Sequence, residues 1–182
     1  MFTKSFYTIL IVIILFSGCS LPQKTATKEM FHLIEKPDIL LWPETHYVFV
    51  EKVVPSREAT QAVWEEFQSQ SGSVINSKRA PQMIGLYKIH PQIIYRAGVV
   101  VPGPILSLPA EFKYEKFSGG KYAKFTVTGS YSYLPEASAR IMKIVKQSKL
   151  STRDSFYIEH YVNSLSEVTE DQLVTEILVP IN

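Results

Sequence analysis

Apolar and polar positions alternate along most of the chain in strand-like runs, interrupted by two stretches with helical spacing. The first run, 46–54, is rich in β-branched and aromatic residues and predicts a strand. Pro55-Ser56 breaks it, with Ser56 placed to cap a helix over about 57–70. Thr60, Val63, Trp64 and Phe67 give that helix one apolar face, and Trp64 reads there as a core residue. Two strands follow, 82–89 and 93–101, turned by His90-Pro91. The order then returns. A short extended segment at 113–117 and a Gly119-Gly120 turn lead to a strand at 121–128. A helix over 134–148 starts with Pro135, which costs no amide hydrogen bond in a first turn. Its stripe is Leu134, Ala137, Ile141, Ile144 and Val145, and strands at 155–163 and 172–181 close the chain.

Strand–helix–strand–strand thus occurs twice, and the closing strands are alike, Val99-Val-Val-Pro102 against Ile177-Leu-Val-Pro180. The pattern predicts an α+β fold: two duplicated units about a pseudo-twofold axis, one antiparallel sheet, helices on one face and a central concave cleft. In the segment 155–163, Phe156, Ile158, His160 and Val162 fall on one side, and Tyr157, Glu159 and Tyr161 on the other. The apolar set is expected to pack on the helices, though His160 fits poorly there. Glu159 and its two tyrosines are expected to face a cleft on the opposite side.

The N-terminus has a different character. Lys4 precedes the almost wholly apolar run 6–16, which is too short for a transmembrane helix and has the form of a signal h-region. The run ends in Ser17-Gly18-Cys19, which resembles a bacterial lipoprotein signal, with small residues before a cysteine that receives lipid and becomes the new N-terminus. Phe16 departs from the usual aliphatic residue of such signals. Cys19 is the only cysteine, so no disulfide forms within the chain. The expected organisation is a signal peptide at 1–18, the lipidated Cys19 with a tether at 19–44, and a folded domain at 45–182. The expected location is the cell envelope, anchored to a bacterial membrane, or to the outer membrane facing the periplasm in a Gram-negative cell.

Lys plus Arg of 19 against Asp plus Glu of 17 gives a net charge of +2 in 182 residues. Without a basic stripe, this argues against a nucleic-acid partner. A carboxylate between two tyrosines on one strand face admits two readings. Either Glu159 sits on a wet sheet face, or it anchors a pocket with aromatic walls. In the second reading Glu159, Tyr157 and Tyr161 bind a small molecule, and a cation is attracted by both carboxylate and rings. His46, His90 and His160 are the domain's candidates for an axial haem ligand. They are scattered, without metal-ligand spacing, and no cofactor is expected. Export and the absence of a helix-turn-helix pattern leave no role at DNA, and the domain is expected to be monomeric.

The second half resembles the GyrI-like small-molecule-binding domain, the effector-binding module of many AraC- and MerR-type regulators. The resemblance rests on Gly119-Gly-Lys-Tyr-Ala-Lys-Phe125, Gly129-Ser-Tyr131, Leu134 with Ala137, Ile158-Glu-His-Tyr-Val-Asn163 and Thr175-Glu-Ile-Leu-Val-Pro-Ile181. The first half is similar more loosely, through Ile84-Gly-Leu-Tyr87 and Tyr95-Arg-Ala-Gly-Val-Val-Val101. The family pattern implies a central pocket, with Glu159 and Tyr161 on its Ile-Glu-x-Tyr motif. Asn163-Ser-Leu165 stands where the family often has Asn-Asp-Pro. Part of the family hydrolyses small electrophiles, which gives the alternative that Glu159 activates water and Tyr157 or Tyr161 stabilises developing charge. Haem-binding domains of the SOUL type share a similar duplicated plan, which gives a further alternative of tetrapyrrole binding.

Overall fold

The computed structural model describes residues 30–73, 81–105 and 107–182. Eight strands form one antiparallel sheet: β1 (His32–Trp42), β2 (Thr45–Val54), β3 (Met83–Lys88), β4 (Ile93–Val101), β5 (Lys113–Phe117), β6 (Gly120–Thr128), β7 (Tyr157–Tyr161) and β8 (Val174–Pro180). Two helices, α1 (Thr60–Gln70) and α2 (Leu134–Gln147), interrupt them. The spatial order is β1-β6-β8-β7-β3-β4-β2-β5. The sequence β6-β8-β7 mirrors β2-β4-β3 about the β7–β3 seam, so the duplication is carried into the sheet.

The edge strands are exchanged between the halves. β1 precedes β2 in the chain but pairs with β6, and β5 precedes β6 but pairs with β2. The links are short: only Pro43-Glu44 joins β1 to β2. Six strand spacings of ~4.8 Å would put these strands about 29 Å apart in a flat sheet. A link from Trp42 to Thr45 spans at most about 11 Å. The sheet therefore curls until its two edges approach. The two links cross at Gly119, whose φ of +70° and whose contact with the Trp42 and Pro43 carbonyls leave no room for a Cβ.

Curling encloses one apolar cluster. Tyr47, Phe49, Ile84, Leu86, Tyr122, Ile158 and Leu178 fill the inner face, and Tyr47 and Tyr122 occupy equivalent places in the two halves. The outer face carries the helices. Val63 and Phe67, four residues apart on α1, pack on Val48, Val50, Tyr95, Ala97 and Val99. Leu134, Ala137, Ile141 and Val145 of α2 pack on Ala123, Phe125, Ile177 and Val179, and Ile144 is half-buried beside them.

The fold class is as expected from the sequence: α+β, duplicated, antiparallel, with both helices on one face. Two expectations change. Residues 32–42 are not tether but the edge strand β1, bonded to β6 through a register shift between Ile34 and Asp38. Its alternation is hidden in sequence because only Leu33 is buried, while Leu41 lies 78 % exposed. The parity of 155–163 holds, but the faces are reversed. Ile158 points into the curled interior, and Glu159 lies on the helix side, in a row with Val50, Ala97, Gly85, Ile177 and Phe125. The side away from the helices is packed around Ile158 rather than left open there. His160, on the same side as Ile158, bonds Glu176 instead of a helix. Cys19 and the signal segment lie outside the described residues.

Candidate functional site

β7 and β3 are the two middle strands, and the row crossing them places Glu159 at the seam between the halves. Glu159 is 2 % exposed. A carboxylate this deep costs several kcal/mol unless it is paired and fully hydrogen-bonded. Tyr95 donates its hydroxyl to Oε2 at 2.7 Å and Tyr161 donates to the same oxygen at 3.1 Å. Arg57 Nη2 pairs with Oε1 and also donates to Ser138 Oγ at 3.4 Å. Gly85 stands directly opposite Glu159, and a Cβ there would run into Tyr95 Oη and come within 3.0 Å of Glu159 Oε2. Only glycine leaves space for the phenol and the carboxylate to meet.

Aromatic rings wall this centre. Trp64 of α1 donates its indole N–H to Tyr95 Oη at 2.9 Å and meets the Tyr161 ring edge-on at 5.1 Å. Tyr131 meets Tyr161 edge-on from the other side, also at 5.1 Å. Tyr87 and Tyr157 stack at 5.0 Å, and the Arg57 guanidinium lies 3.6 Å over the Tyr87 ring centre. Each half thus contributes: Arg57, Trp64, Tyr87 and Tyr95 from the first, Tyr131, Tyr157, Glu159 and Tyr161 from the second.

The surroundings tune the protonation of these groups. Burial pushes the Tyr95 and Tyr161 phenols well above their ordinary value, and the Glu159 charge adds to it. Burial pushes Tyr87 up to about 12, with Arg57 partly opposing. Burial also raises Tyr157. Burial works against the charge on Arg57, but Glu159, Tyr87 and Tyr95 together outweigh it and hold the guanidinium more firmly protonated than usual.

Beside this centre, between the approach to α1 and the start of α2, lies a cavity of about 160 Å³ lined by Arg57, Tyr87, Ile89, Pro135, Ala139 and Met142. A larger cavity of about 430 Å³ opens at one end of the curled sheet, beside Trp42, His46, Gln82, His160 and Glu176. His46 bonds the Tyr114 hydroxyl, and His160 Nδ1 bonds Glu176 at 2.8 Å. His90 is exposed in the turn between β3 and β4, away from the other two. Among the described residues, no three His, Cys, Asp or Glu side chains are grouped to hold a metal ion.

Of the residues singled out from sequence, Tyr157, Glu159 and Tyr161 share one surface, with Tyr157 further from the carboxylate. Sequence reasoning missed Arg57 and Tyr95 as partners of Glu159 and Tyr87 as the ring beneath Arg57, and took Trp64 for core alone. Gly85 inside an apolar strand was the available signal, since glycine there marks a close approach. Nothing local marked Arg57, whose partner lies 102 positions along the chain.

Solved structures share the fold. The C-terminal domain of EcmrR superposes with a TM-score of 0.65 at 12 % identity, over 84 % of this chain and 98 % of that one. SAV2435 bound to tetraphenylphosphonium gives 0.57 at 16 %, over 80 % and 93 %. A hydrolase from Listeria innocua gives 0.51 at 11 %, over 81 % and 92 %. None of the curated proteins matches the chain. The family model of the GyrI-like small-molecule-binding domain matches residues 35–182, from within β1 to the last residue, and the chain belongs to that family.

Proposed function

We propose that the protein is an exported, lipid-anchored binding domain for small amphipathic molecules, aromatic or cationic, taken up between α1 and α2. Glu159 is the anionic anchor, and Tyr157 and Tyr161 belong to the aromatic wall. The observation that carries this reading is the buried carboxylate of Glu159 at the seam of the two halves, ringed by tyrosines and Trp64. Aromatic faces attract both flat ligands and cations, and a buried carboxylate favours the cation further. The similar SAV2435 in its tetraphenylphosphonium complex makes that cation a fitting first probe. The cavity beside the site is smaller than the ~300 Å³ at which ligand pockets begin, so binding widens the gap between the helices.

The hydrolase alternative asks Glu159 to activate water. Its Oε2 already accepts from two phenols and its Oε1 pairs with Arg57, so a water would first have to displace one of them. Binding is therefore the better-supported reading. The experiment is a calorimetric titration of the protein with tetraphenylphosphonium, alongside the variant Ala139→Trp. Ala139 is exposed on the cavity rim, so the indole covers the opening without entering the core. Binding weakened about tenfold or more, some 1.4 kcal/mol, supports the site. Binding unchanged by the cover places the ligand elsewhere. Turnover of an ester or epoxide panel that is lost in Glu159→Gln replaces the binding reading with hydrolysis.

A further inference from the structure

The place beside Glu159 that a bound cation would take is already filled by the protein itself. The Arg57 guanidinium pairs with Glu159 Oε1 and lies 3.6 Å over the Tyr87 ring, the two interactions that define a site for an amphipathic cation. We propose that Arg57 is the resident cation of this pocket, and that a cationic ligand binds by displacing its guanidinium from Glu159 and Tyr87. The inference rests on the binding reading above and deepens it: it assigns the site's charge selectivity to an exchange of one cation for another.

Three observations support a displaceable arginine. Arg57 lies in the irregular segment 55–59 between β2 and α1, so its side chain can swing out without breaking a strand ladder or a helix. It is loosely held for a buried guanidinium: of its five N–H donors only those on Nη2 are used, and Nε and Nη1 meet no hydrogen-bond partner. Such orphan donors are costly, and release to water satisfies them. Arg57 also lines the cavity between the helices, so a ligand entering there meets the guanidinium before it reaches Glu159.

The exchange keeps one positive charge beside Glu159 throughout, which avoids an unpaired buried carboxylate. A neutral ligand offers no replacement charge, so it leaves Arg57 in place and is confined to the aromatic surface and the cavity. Cations and neutral molecules of the same shape are thereby separated. The resident arginine sets a threshold that a weakly binding cation does not cross.

The test uses two hydrophobic ions of the same shape and opposite charge, tetraphenylphosphonium and tetraphenylborate, with wild type, Arg57→Met, Glu159→Gln and Ala139→Trp. With the competitor gone, Arg57→Met is expected to bind the phosphonium about tenfold tighter than wild type and the borate more weakly. Glu159→Gln is expected to reverse the preference. Because Arg57→Met strands a buried carboxylate and can impair folding, the second measurement is made on wild type. The NMR signal of the Arg57 Nε–H, shielded in the free protein, is expected to move or broaden into solvent exchange as the phosphonium saturates the site. Phosphonium affinity within twofold of wild type in folded Arg57→Met, or an unmoved Arg57 signal at saturation, overturns the displacement. If Ala139→Trp blocks binding while Arg57→Met changes nothing, the pocket stands and only the resident-cation role falls. If the phosphonium does not bind, or Ala139→Trp leaves its binding intact, the pocket itself is refuted and the inference falls with it.

Discussion

Tyr95 on β4 donates its hydroxyl to Glu159 on β7 across 2.7 Å, and that bond ties the first half of the duplication to the second. Tyr95 Oη is also the acceptor for Trp64, so one phenol connects α1, β4 and β7. Tyr95→Phe removes a hydrogen bond to a buried charge and leaves the indole N–H unpaired. The expected loss is about 1.5–3 kcal/mol of stability, read as a lower denaturant midpoint with an unchanged slope. A midpoint equal to wild type would show that Tyr161 and Arg57 hold Glu159 without it.

Ile141 tests the placement of α2. It is 1 % exposed in the cluster beneath the helix, and Lys143, two residues on, is exposed. Ile141→Asp places an unpaired charge in that cluster and is expected to cost more than about 4 kcal/mol, enough to unfold a domain of ordinary stability. Lys143→Asp is expected to stay within about 0.5 kcal/mol of wild type. Circular dichroism of the two variants decides: a folded Ile141→Asp would mean that α2 presents another face to the sheet.

The buried tyrosines make a prediction at alkaline pH. Burial holds Tyr87 up to about 12, and burial with the Glu159 charge holds Tyr95 and Tyr161 well above the ordinary value. In the unfolded chain each phenol titrates near ~10. Below that pH both states are protonated and the contribution to stability is complete. Above it the unfolded chain releases protons that the fold retains, so stability falls with rising pH, by up to about 1.4 kcal/mol per unit for each phenol. Denaturation midpoints from about pH 9 to 11, followed together with tyrosinate absorbance, should show this fall and a set of phenols that ionise only on unfolding. A flat midpoint over that range would mean that the fold leaves these phenols at their ordinary value.

The proposed membrane attachment would rest on Cys19. With two or more acyl chains the protein should fractionate with membranes and stay there through a salt wash, because a single chain gives only marginal attachment. Cys19→Ala should remove incorporation of a palmitate label. Label retained in that variant would overturn the anchor.

The fold was legible where one face of an element is buried. The stripe Leu134, Ala137, Ile141 and Val145 is read from spacing alone, and the buried set on α2 contains it. The duplication was visible as well, and the structure places Tyr47 and Tyr122 at equivalent positions of the two halves, both fully buried in the inner cluster. Two things were not legible. β1 is an exposed edge strand, so its alternation carries almost no apolar signal, and its partner β6 begins only at Gly120, with β2 to β5 lying between. The side of the sheet that Glu159 takes depends on curling. Ile158 reads as helix-facing in a flat sheet, but a curled sheet has an apolar interior of its own, and Ile158 belongs to it. Period-two alternation separates two faces and does not say which one holds the helices. Arg57 was hidden for a related reason: its charge partner is set by the seam between halves, not by neighbours in the chain.

The exchanged edges mean that neither repeat is a self-sufficient folding unit. β1 belongs to the first repeat by chain order, but its one partner among the described residues, β6, lies in the second; β5 is placed the other way round. A protein cleaved in the segment between β4 and β5 would yield two fragments, each with an unmatched terminal strand and an uncovered sheet margin. Such fragments are poor monomers and good mutual partners, so the nicked protein should remain associated and should re-form from its separated pieces on mixing. The same reciprocity offers each fragment a second copy of itself as a false partner, and it makes the duplication irreversible: after the edges were traded, one repeat could no longer be lost while the other persisted.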